Sequence, residues 1–221
     1  MRLTKMGHSC VRLEKDAVTV VIDPGSLTEP EAIRGADALF ITHEHFDHLS
    51  EERIASAARA NPGLPVWTCG AVAAKLDGLP LRLHAVGDGD TFEVGAFTVQ
   101  VHGEYHAITH PDRPPVPNVG FLIDGDVFHP GDAFTLPGTG VRTLLVPASA
   151  PWLKVTEMIE YTRAIGPLRA YSIHEGLLNE HGLGLVDATL ADLAESPARS
   201  GELSGQRRDF RRLAPGESVD L

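Results

Sequence analysis

The fold of this chain is decided by one short stretch, THEHFDH at residues 42–48. It follows the apolar run Ala38–Ile41, which is predicted to form a strand, and it precedes a helix start at Ser50. Within six residues the stretch offers four metal-ligating side chains, those of His43, His45, Asp47 and His48. Neutral imidazoles and a carboxylate suit zinc and other first-row divalent metals. We therefore predict a metal site at this strand-to-helix turn, since a plain histidine-rich surface turn would not need this combination.

The spacing inside the stretch favours two metal ions over one. His43 and His45 alternate at a strand end, so their side chains point the same way and can meet one ion. Asp47 and His48 follow the bend and can meet a second ion. Further ligands must then come from other parts of the chain.

The same stretch carries a resemblance to a known family. The residues His43-Glu44-His45-Phe46-Asp47-His48 match His-x-His-x-Asp-His, the motif of the metallo-β-lactamase-fold superfamily. Within that superfamily the chain is similar to the small predicted metal-dependent hydrolases related to ascorbate-phosphate lactonase, through GHS at 7–9, VIDP at 21–24 and HPGD at 129–132. The resemblance extends to about Leu193. It implies an α+β fold, a four-layer αβ/βα sandwich with two metals at the edges of its sheets.

The resemblance also implies the remaining ligands. A third histidine for the first metal should follow a later strand, and we choose His106, with His102 as the leading alternative and His110 in a proline-rich loop. Asp132 matches the aspartate shared by both metals, and His174 matches the last ligand of the second metal. The implied set is His43, His45 and His106 for one ion, Asp47, His48 and His174 for the other, and Asp132 for both. Zinc is expected first, and manganese or iron would also fit.

A site of this kind predicts a hydrolase. A hydroxide held between the two ions is the expected nucleophile, acting on a small ester, lactone or phosphodiester. Asp47 and Asp132 are the predicted catalytic carboxylates. His8 is predicted to hold a substrate anion or to protonate the leaving group, unless it is only a structural histidine at a strand end. Asp23 is predicted to accept a hydrogen bond from a ligand histidine, unless it is only a turn residue before proline.

Two other classes of function stay open. The same ligands could hold two irons, which would make the chain a redox protein of the same fold. The chain could instead be a non-catalytic binding module that uses metal for folding. The presence of all seven candidate ligands argues against the second alternative.

Composition limits the partners. With 43% hydrophobic and 22% charged residues, we expect one globular domain over residues 1–221. A net charge of −11 disfavours nucleic acid, so a small-molecule substrate is expected, and the oligomeric state stays open. No apolar run reaches the roughly 20 residues of a membrane span, and the start lacks the features of a secretory signal, so a cytoplasmic location is expected. Cys10 and Cys69 are expected to be buried reduced thiols.

The rest of the pattern predicts two facing sheets with helices outside. Residues 81–101 read as antiparallel strands, and a helix is predicted from Pro151 with Trp152, Val155 and Ile159 on one core face. The alternative is that Trp152 lines a substrate cleft together with Tyr105 and Asn118. A further helix is predicted over 185–193. The tail from Ser196 is polar, with a final edge strand expected at 210–213 or 218–221.

Overall fold

A computed structural model describes residues 1–196 and 207–221 of the chain. The described residues form two seven-stranded sheets and four helices. The first sheet holds β1 (Arg2–Lys5), β2 (Val11–Lys15), β3 (Val18–Ile22), β4 (Ala38–Ile41), β5 (Leu64–Thr68) and β6 (Leu81–Ala85) in this spatial order. The second sheet holds β7 (Thr91–Val94), β8 (Phe97–His102), β9 (Gly120–Ile123), β10 (Val127–His129), β11 (Thr143–Pro147), β12 (Arg169–Ile173) and β13 (Asp209–Arg211). The last strand, β14 (Ser218–Asp220), pairs with β1 and completes the first sheet.

Each sheet is antiparallel in one half and parallel in the other. Hairpins join β1 to β3 and β7 to β10, whereas β3 to β6 and β10 to β13 pair in parallel. Strands buried on both faces, such as β4 and β9, are apolar throughout, while β8 alternates buried and exposed residues. β5 and β6 pair in parallel, so the antiparallel prediction for residues 81–85 is wrong. The short helix between them carries the chain back to the starting end of β5, and β6 therefore runs in the same direction as β5.

The core lies between the sheets, and helices cover their outer faces. The helices are α1 (Glu51–Ala60), α2 (Gly70–Lys75), α3 (Val155–Ile165) and α4 (Glu180–Glu195). Buried residues of both sheets form one cluster that also takes in Ile54 of α1 and Val72 of α2. A second cluster packs α3 and α4 against the second sheet. The predicted four-layer αβ/βα sandwich is confirmed.

Two helix predictions need correction. α3 begins at Val155, where the backbone N–H of Lys154 donates to the Glu157 carboxylate, so Trp152 lies in the preceding turn. Val155 is 55% exposed and does not belong to the predicted core face. α4 begins at Glu180 rather than 185, because the Asn179 side chain caps it by accepting from the Gly182 N–H.

The tail contributes to both sheets. β13 pairs in parallel with β12, and β14 pairs antiparallel with β1, so each of the two predicted stretches supplies an edge strand. Residues 197–206 of the predicted polar tail lie outside the described part of the chain. Within that part, no helix combines the length and apolar character needed to cross a membrane.

Candidate metal centre

The motif at 42–48 leaves β4 at one edge of the sandwich and turns at once. The backbone N–H groups of His48 and Leu49 both donate to the His45 carbonyl, which closes a tight turn. The loop after β3 lies against this turn so closely that a Cβ on Gly25 would stand 1.9 Å from the Asp47 carbonyl oxygen. Only glycine fits there, so the neighbouring loop holds the motif in place.

The structure brings all seven predicted ligands together with His8, in two groups. We call His43, His45, His106 and Asp132 the first group, and His8, Asp47, His48 and His174 the second group. Within each group the potential ligand atoms lie within 4.8 Å of one another. All of these side chains are buried except that of His45, which is partly exposed.

Asp132 connects the two groups. One carboxylate oxygen, Oδ1, lies 3.0 Å from Nε2 of His48, and the other, Oδ2, lies 3.0 Å from Nε2 of His174. Oδ2 is also 3.3 Å from Nε2 of His106, in the first group. The carboxylate therefore faces both groups at once, the position that the sequence assigned to a shared ligand.

Asn118, whose role the sequence did not reveal, holds Asp132 in this position. Its side-chain N–H donates to the Pro130 carbonyl at 2.9 Å, and its oxygen accepts from the Asp132 N–H at 3.1 Å. Gly131 takes a φ of 64°, and a Cβ there would stand 2.3 Å from the Asn118 oxygen. The Pro-Gly turn after β10 is thus shaped by an asparagine 14 residues earlier.

Of the three candidates for the third histidine, His106 lies in the first group and the other two do not. His102 sits in β8 with its ring against Phe128, at 6.0 Å between centroids. His110 is exposed beside Asp112. His106 and Asp132 also offer two buried atoms, Nε2 and Oδ1, that make no hydrogen bond of good geometry with any described residue. A divalent cation would satisfy both atoms, so the residues present fit a metal.

The outer ring nitrogens are held by the protein, which leaves the inner ones free. The Nδ1 atoms of His106 and His174 donate to the carbonyls of Ala107 and Ser149. Asp23 reaches two further histidines: its Oδ2 accepts from Nδ1 of His48 at 2.6 Å and from the Thr42 hydroxyl at 2.8 Å. That hydroxyl in turn accepts from Nδ1 of His43 at 3.0 Å. Fixing one nitrogen in this way orients the other as a ligand.

The pKa values of His43 and His45 shift in the opposite direction to those of His48 and His174, while burial lowers the pKa of His8. Burial, reinforced by neighbouring imidazoles, lowers the pKa of His43 well below its usual value and lowers that of His45. Burial also opposes the charged form of His48 and His174, but the nearby carboxylates, that of Asp132 foremost, outweigh it. The pKa of His48 therefore lies well above its usual value, and that of His174 rises to about 9. The lowered pKa values of His43 and His45 favour the neutral imidazole, the form that binds metals.

Backbone strain concentrates here as well. Six residues other than glycine take positive φ in the described chain, and three of them are His8, Asp23 and His174, at 47°, 49° and 65°. The other three lie at hairpin turns after β2 and β9. Such strain persists where the surrounding structure imposes it, commonly at functional sites.

Trp152 adds an aromatic wall. Its indole N–H donates to Oδ2 of Asp132 at 3.2 Å, and its ring centroid lies 5.3 Å from that of His106. The core position favoured by the sequence is therefore wrong for Trp152, which is half-buried beside the first group. Helical periodicity could not show this, because Trp152 precedes the helix.

Comparisons with known proteins agree on the family. A family model described as the beta-lactamase superfamily domain matches residues 2–174. Protein Rv0786c of Mycobacterium tuberculosis is 36% identical over 200 residues, covering 87% of this chain and 92% of that protein. A UPF0173 metal-dependent hydrolase of Aeropyrum pernix is 39% identical over 70 residues, covering 29% of this chain and 28% of that protein.

Solved structures show the same fold. The metallo hydrolase Igni18 of Ignicoccus hospitalis has a TM-score of 0.68 at 20% identity, covering 99% of this chain and 97% of that one. The metallo-beta-lactamase fold protein YhfI of Bacillus subtilis has a TM-score of 0.70 at 14% identity, covering 99% of this chain and 98% of that one. The chain has the metallo-β-lactamase fold and belongs to the beta-lactamase superfamily.

Proposed function

We propose that the chain is a metal-dependent hydrolase that cleaves small esters, lactones or phosphodiesters with a hydroxide held between two divalent ions. One observation carries the proposal. Two groups of imidazoles and carboxylates meet at Asp132. Two of their potential ligand atoms, Nε2 of His106 and Oδ1 of Asp132, are buried and make no hydrogen bond of good geometry with any described residue. The metal-dependent hydrolase of Aeropyrum pernix and the metallo hydrolase of Ignicoccus hospitalis support the same class.

In this proposal each group holds one ion. His43, His45 and His106 bind the first, Asp47, His48 and His174 bind the second, and Asp132 binds both. Zinc is proposed before manganese or iron, since imidazole and carboxylate ligands select weakly among these metals. When bound, such ions supply the Lewis acidity that generates a nucleophile from water near neutral pH and polarises the substrate oxygen.

His8 belongs to the second group by distance, but its hydrogen bonds point to a role other than ligand. Its Nδ1 accepts the Gly176 backbone N–H at 3.0 Å, so a neutral ring must carry its proton on Nε2. That Nε2–H donates to Oδ2 of Asp47 at 3.2 Å. We therefore propose that His8 orients the Asp47 carboxylate. The predicted proton transfer to a leaving group would need the N–H that Asp47 accepts.

Asp23 has a matching role on the other side. Through its direct bond to His48 and its bond through Thr42 to His43, one carboxylate orients one histidine in each group. Losing such an outer partner typically weakens metal affinity or activity by about 10-fold to 100-fold. We therefore propose that Asp23 sets the geometry of both ions together.

Metal content and hydrolysis together test the proposal. The purified protein is measured by mass spectrometry before and after reconstitution, and then assayed on esters, lactones and phosphodiesters. About two equivalents of zinc or manganese with turnover are expected. Two equivalents of iron without hydrolysis would favour the redox alternative, and no tight binding of any metal would contradict the ligand assignment.

Substitution of Asp47 sharpens this test. Asp47→Ala should abolish turnover and remove one ion, because Asp47 is the one carboxylate that serves the second group alone. Asp112→Ala removes an exposed carboxylate elsewhere in the chain and should leave both unchanged. Circular dichroism would show that both variants keep the fold. Wild-type turnover in Asp47→Ala would contradict the mechanism.

The cytoplasmic location and the single domain stay predictions.

A further inference from the structure

The exposed apolar side chains of this protein are concentrated around the two groups. Seven large hydrophobic residues are exposed in the described chain. Five of them lie within four residues of a member of the groups, and we call these five the apolar rim: Phe46 (62% exposed), Tyr105 (54%), Ile108 (79%), Leu136 (59%) and Leu177 (64%). They come from four separate segments, which follow β4, β8, β10 and β12 and whose group members come together at one edge of the sandwich.

An apolar wall also lies at the groups themselves. Trp152 lies against His106 and His174, with ring centroids 5.3 and 6.3 Å apart. Phe134 packs edge-on against Trp152 at 5.4 Å. An apolar molecule lying on Trp152 would therefore touch the proposed ligands at one end and be able to reach the rim at the other.

Exposed apolar residues scattered singly need no explanation, but a cluster of them marks a binding surface. Here the cluster surrounds the proposed reaction centre. A surface of this kind beside a reaction centre suits the part of the substrate that does not react. Remote binding of that kind orients the reacting bond.

We propose that the substrate is an uncharged ester or lactone with an apolar acyl or alkyl chain that lies along Trp152 and the apolar rim. This rests on the proposed function and narrows its three substrate classes to one. In the reaction, water loses one proton to solvent, the resulting hydroxide oxygen bonds to the acyl carbon, the bond from the acyl carbon to the alkoxy oxygen breaks, and the leaving alkoxide takes the remaining proton, giving a carboxylate and an alcohol. No oxidant or reductant is required.

Two exposed cationic side chains near the groups favour a competing substrate class, the phosphodiesters. Arg113 and Lys154 are exposed on the segments that carry His106 and Trp152, and they would suit a phosphodiester. The apolar rim itself carries no charge and gives such a substrate nothing to bind. A comparison of neutral chains of different length with a phosphodiester therefore separates the two.

The experiment measures kcat/KM of the metal-loaded protein for 4-nitrophenyl acetate, 4-nitrophenyl octanoate and bis(4-nitrophenyl) phosphate. A fully buried methylene contributes about fourfold, and a rim open to water on one side should give about half of that free energy, or twofold. Six added methylenes should then raise kcat/KM by roughly 50-fold. Equal values for the two esters, or a preference for the phosphodiester, would overturn the proposal.

Variants locate the effect. Phe46→Ser and Leu177→Ser should each reduce the ratio of kcat/KM for octanoate to kcat/KM for acetate by about fivefold, because each removes part of the surface that the chain covers. Leu185→Ser is the matched control, since Leu185 is 71% exposed on α4 and lies further along the chain from His174 than any rim residue lies from its neighbouring group member. A preference that survives both rim variants would overturn the proposal.

A binding measurement keeps the inference separate from the proposed function. Hexanamide and acetamide are neutral and bind without needing turnover, and tryptophan fluorescence would report binding at Trp152. Saturable binding of hexanamide, weakened in Phe46→Ser but not in Leu185→Ser, is expected even if the loaded protein hydrolyses nothing. Hydrolysis that does not depend on chain length would refute the proposal of an apolar substrate chain and leave the hydrolase function standing. Hexanamide binding without hydrolysis would refute the hydrolase function and leave the apolar binding surface standing.

Discussion

The two groups of the centre are built in different ways. In the first group, His45 is partly exposed, and His106 comes from an irregular loop that also carries exposed residues of the rim. In the second group every member is buried, and His8 and His174 take positive φ. The difference indicates that the second group is enclosed by the folded chain, whereas the first is open to solvent at His45.

The supports of the two groups differ accordingly. The second group is braced by hydrogen bonds from His8 to Asp47, from His48 to Asp23 and from Nδ1 of His174 to the Ser149 carbonyl. The first group depends on the Thr42 hydroxyl at His43 and on a backbone carbonyl at His106. Substitutions should therefore change the metal affinities of the two groups to different extents.

His106→Ala should cause the largest difference in metal affinity between the two groups. Removing this side chain deletes a proposed ligand of the first ion, so that ion should bind more than about 100-fold more weakly, beyond the loss from an outer partner. The second ion should stay, leaving one equivalent by mass spectrometry. His102→Ala, in the preceding strand, should keep both equivalents. Loss of metal in His102→Ala but not in His106→Ala would reverse the assignment.

Asp23→Asn should affect both groups together. The amide keeps an oxygen that accepts from the Thr42 backbone N–H, but its NH2 group replaces the oxygen that accepts from Nδ1 of His48. Two N–H groups then face each other, so the orientation of the His48 ring is lost. Both ions should bind about 10-fold to 100-fold more weakly in a chelator competition. Asp37→Asn is the matched control, because Asp37 accepts a backbone N–H from Thr19 on the same sheet away from the groups. Weakening of one ion alone would show that Asp23 serves a single group.

The smallest effect should come from His8, and it should fall on the second group alone. His8→Ala removes the donor to Asp47 and should weaken the second ion by about 10-fold, the low end for an outer partner. His8→Gln retains an N–H at a similar distance and should restore most of the affinity, which a purely structural role would not predict. Loss of the second ion from both variants would instead indicate that His8 is itself a ligand.

Much of the centre was predictable because its elements are local. His43, His45, Asp47 and His48 lie within six residues at a strand end, and Asp132 and His174 each follow an apolar strand. Strands whose carboxyl ends share an edge bring such residues together, so the motif and the family resemblance named the seven residues that the structure places in the two groups, with His102 as an alternative to His106. The αβ/βα sandwich followed from the alternation of strands and helices in each half, aided by the family resemblance.

Predictions failed where a contact distant in sequence determines the local structure. Trp152 reads as part of an amphipathic helix, but the helix starts at Val155 and the indole bonds to Asp132. Asn118 carries no motif, yet it shapes the turn that presents Asp132. Neither contact leaves a periodic trace in the sequence, because the partners lie 14 to 20 residues apart in irregular segments.

The sequence by itself determined the ligand-bearing motif, the family and the sandwich, since these depend on residue type, short spacing and hydrophobic pattern. Only the tertiary structure decided that His106 rather than His102 joins the first group, that Asp23 reaches two histidines, and that five apolar side chains close in sequence to the two groups are exposed. The reason is physical: hydrogen-bond geometry and side-chain exposure depend on where separate segments meet, and the chain defines those meeting points only once its sheets have packed.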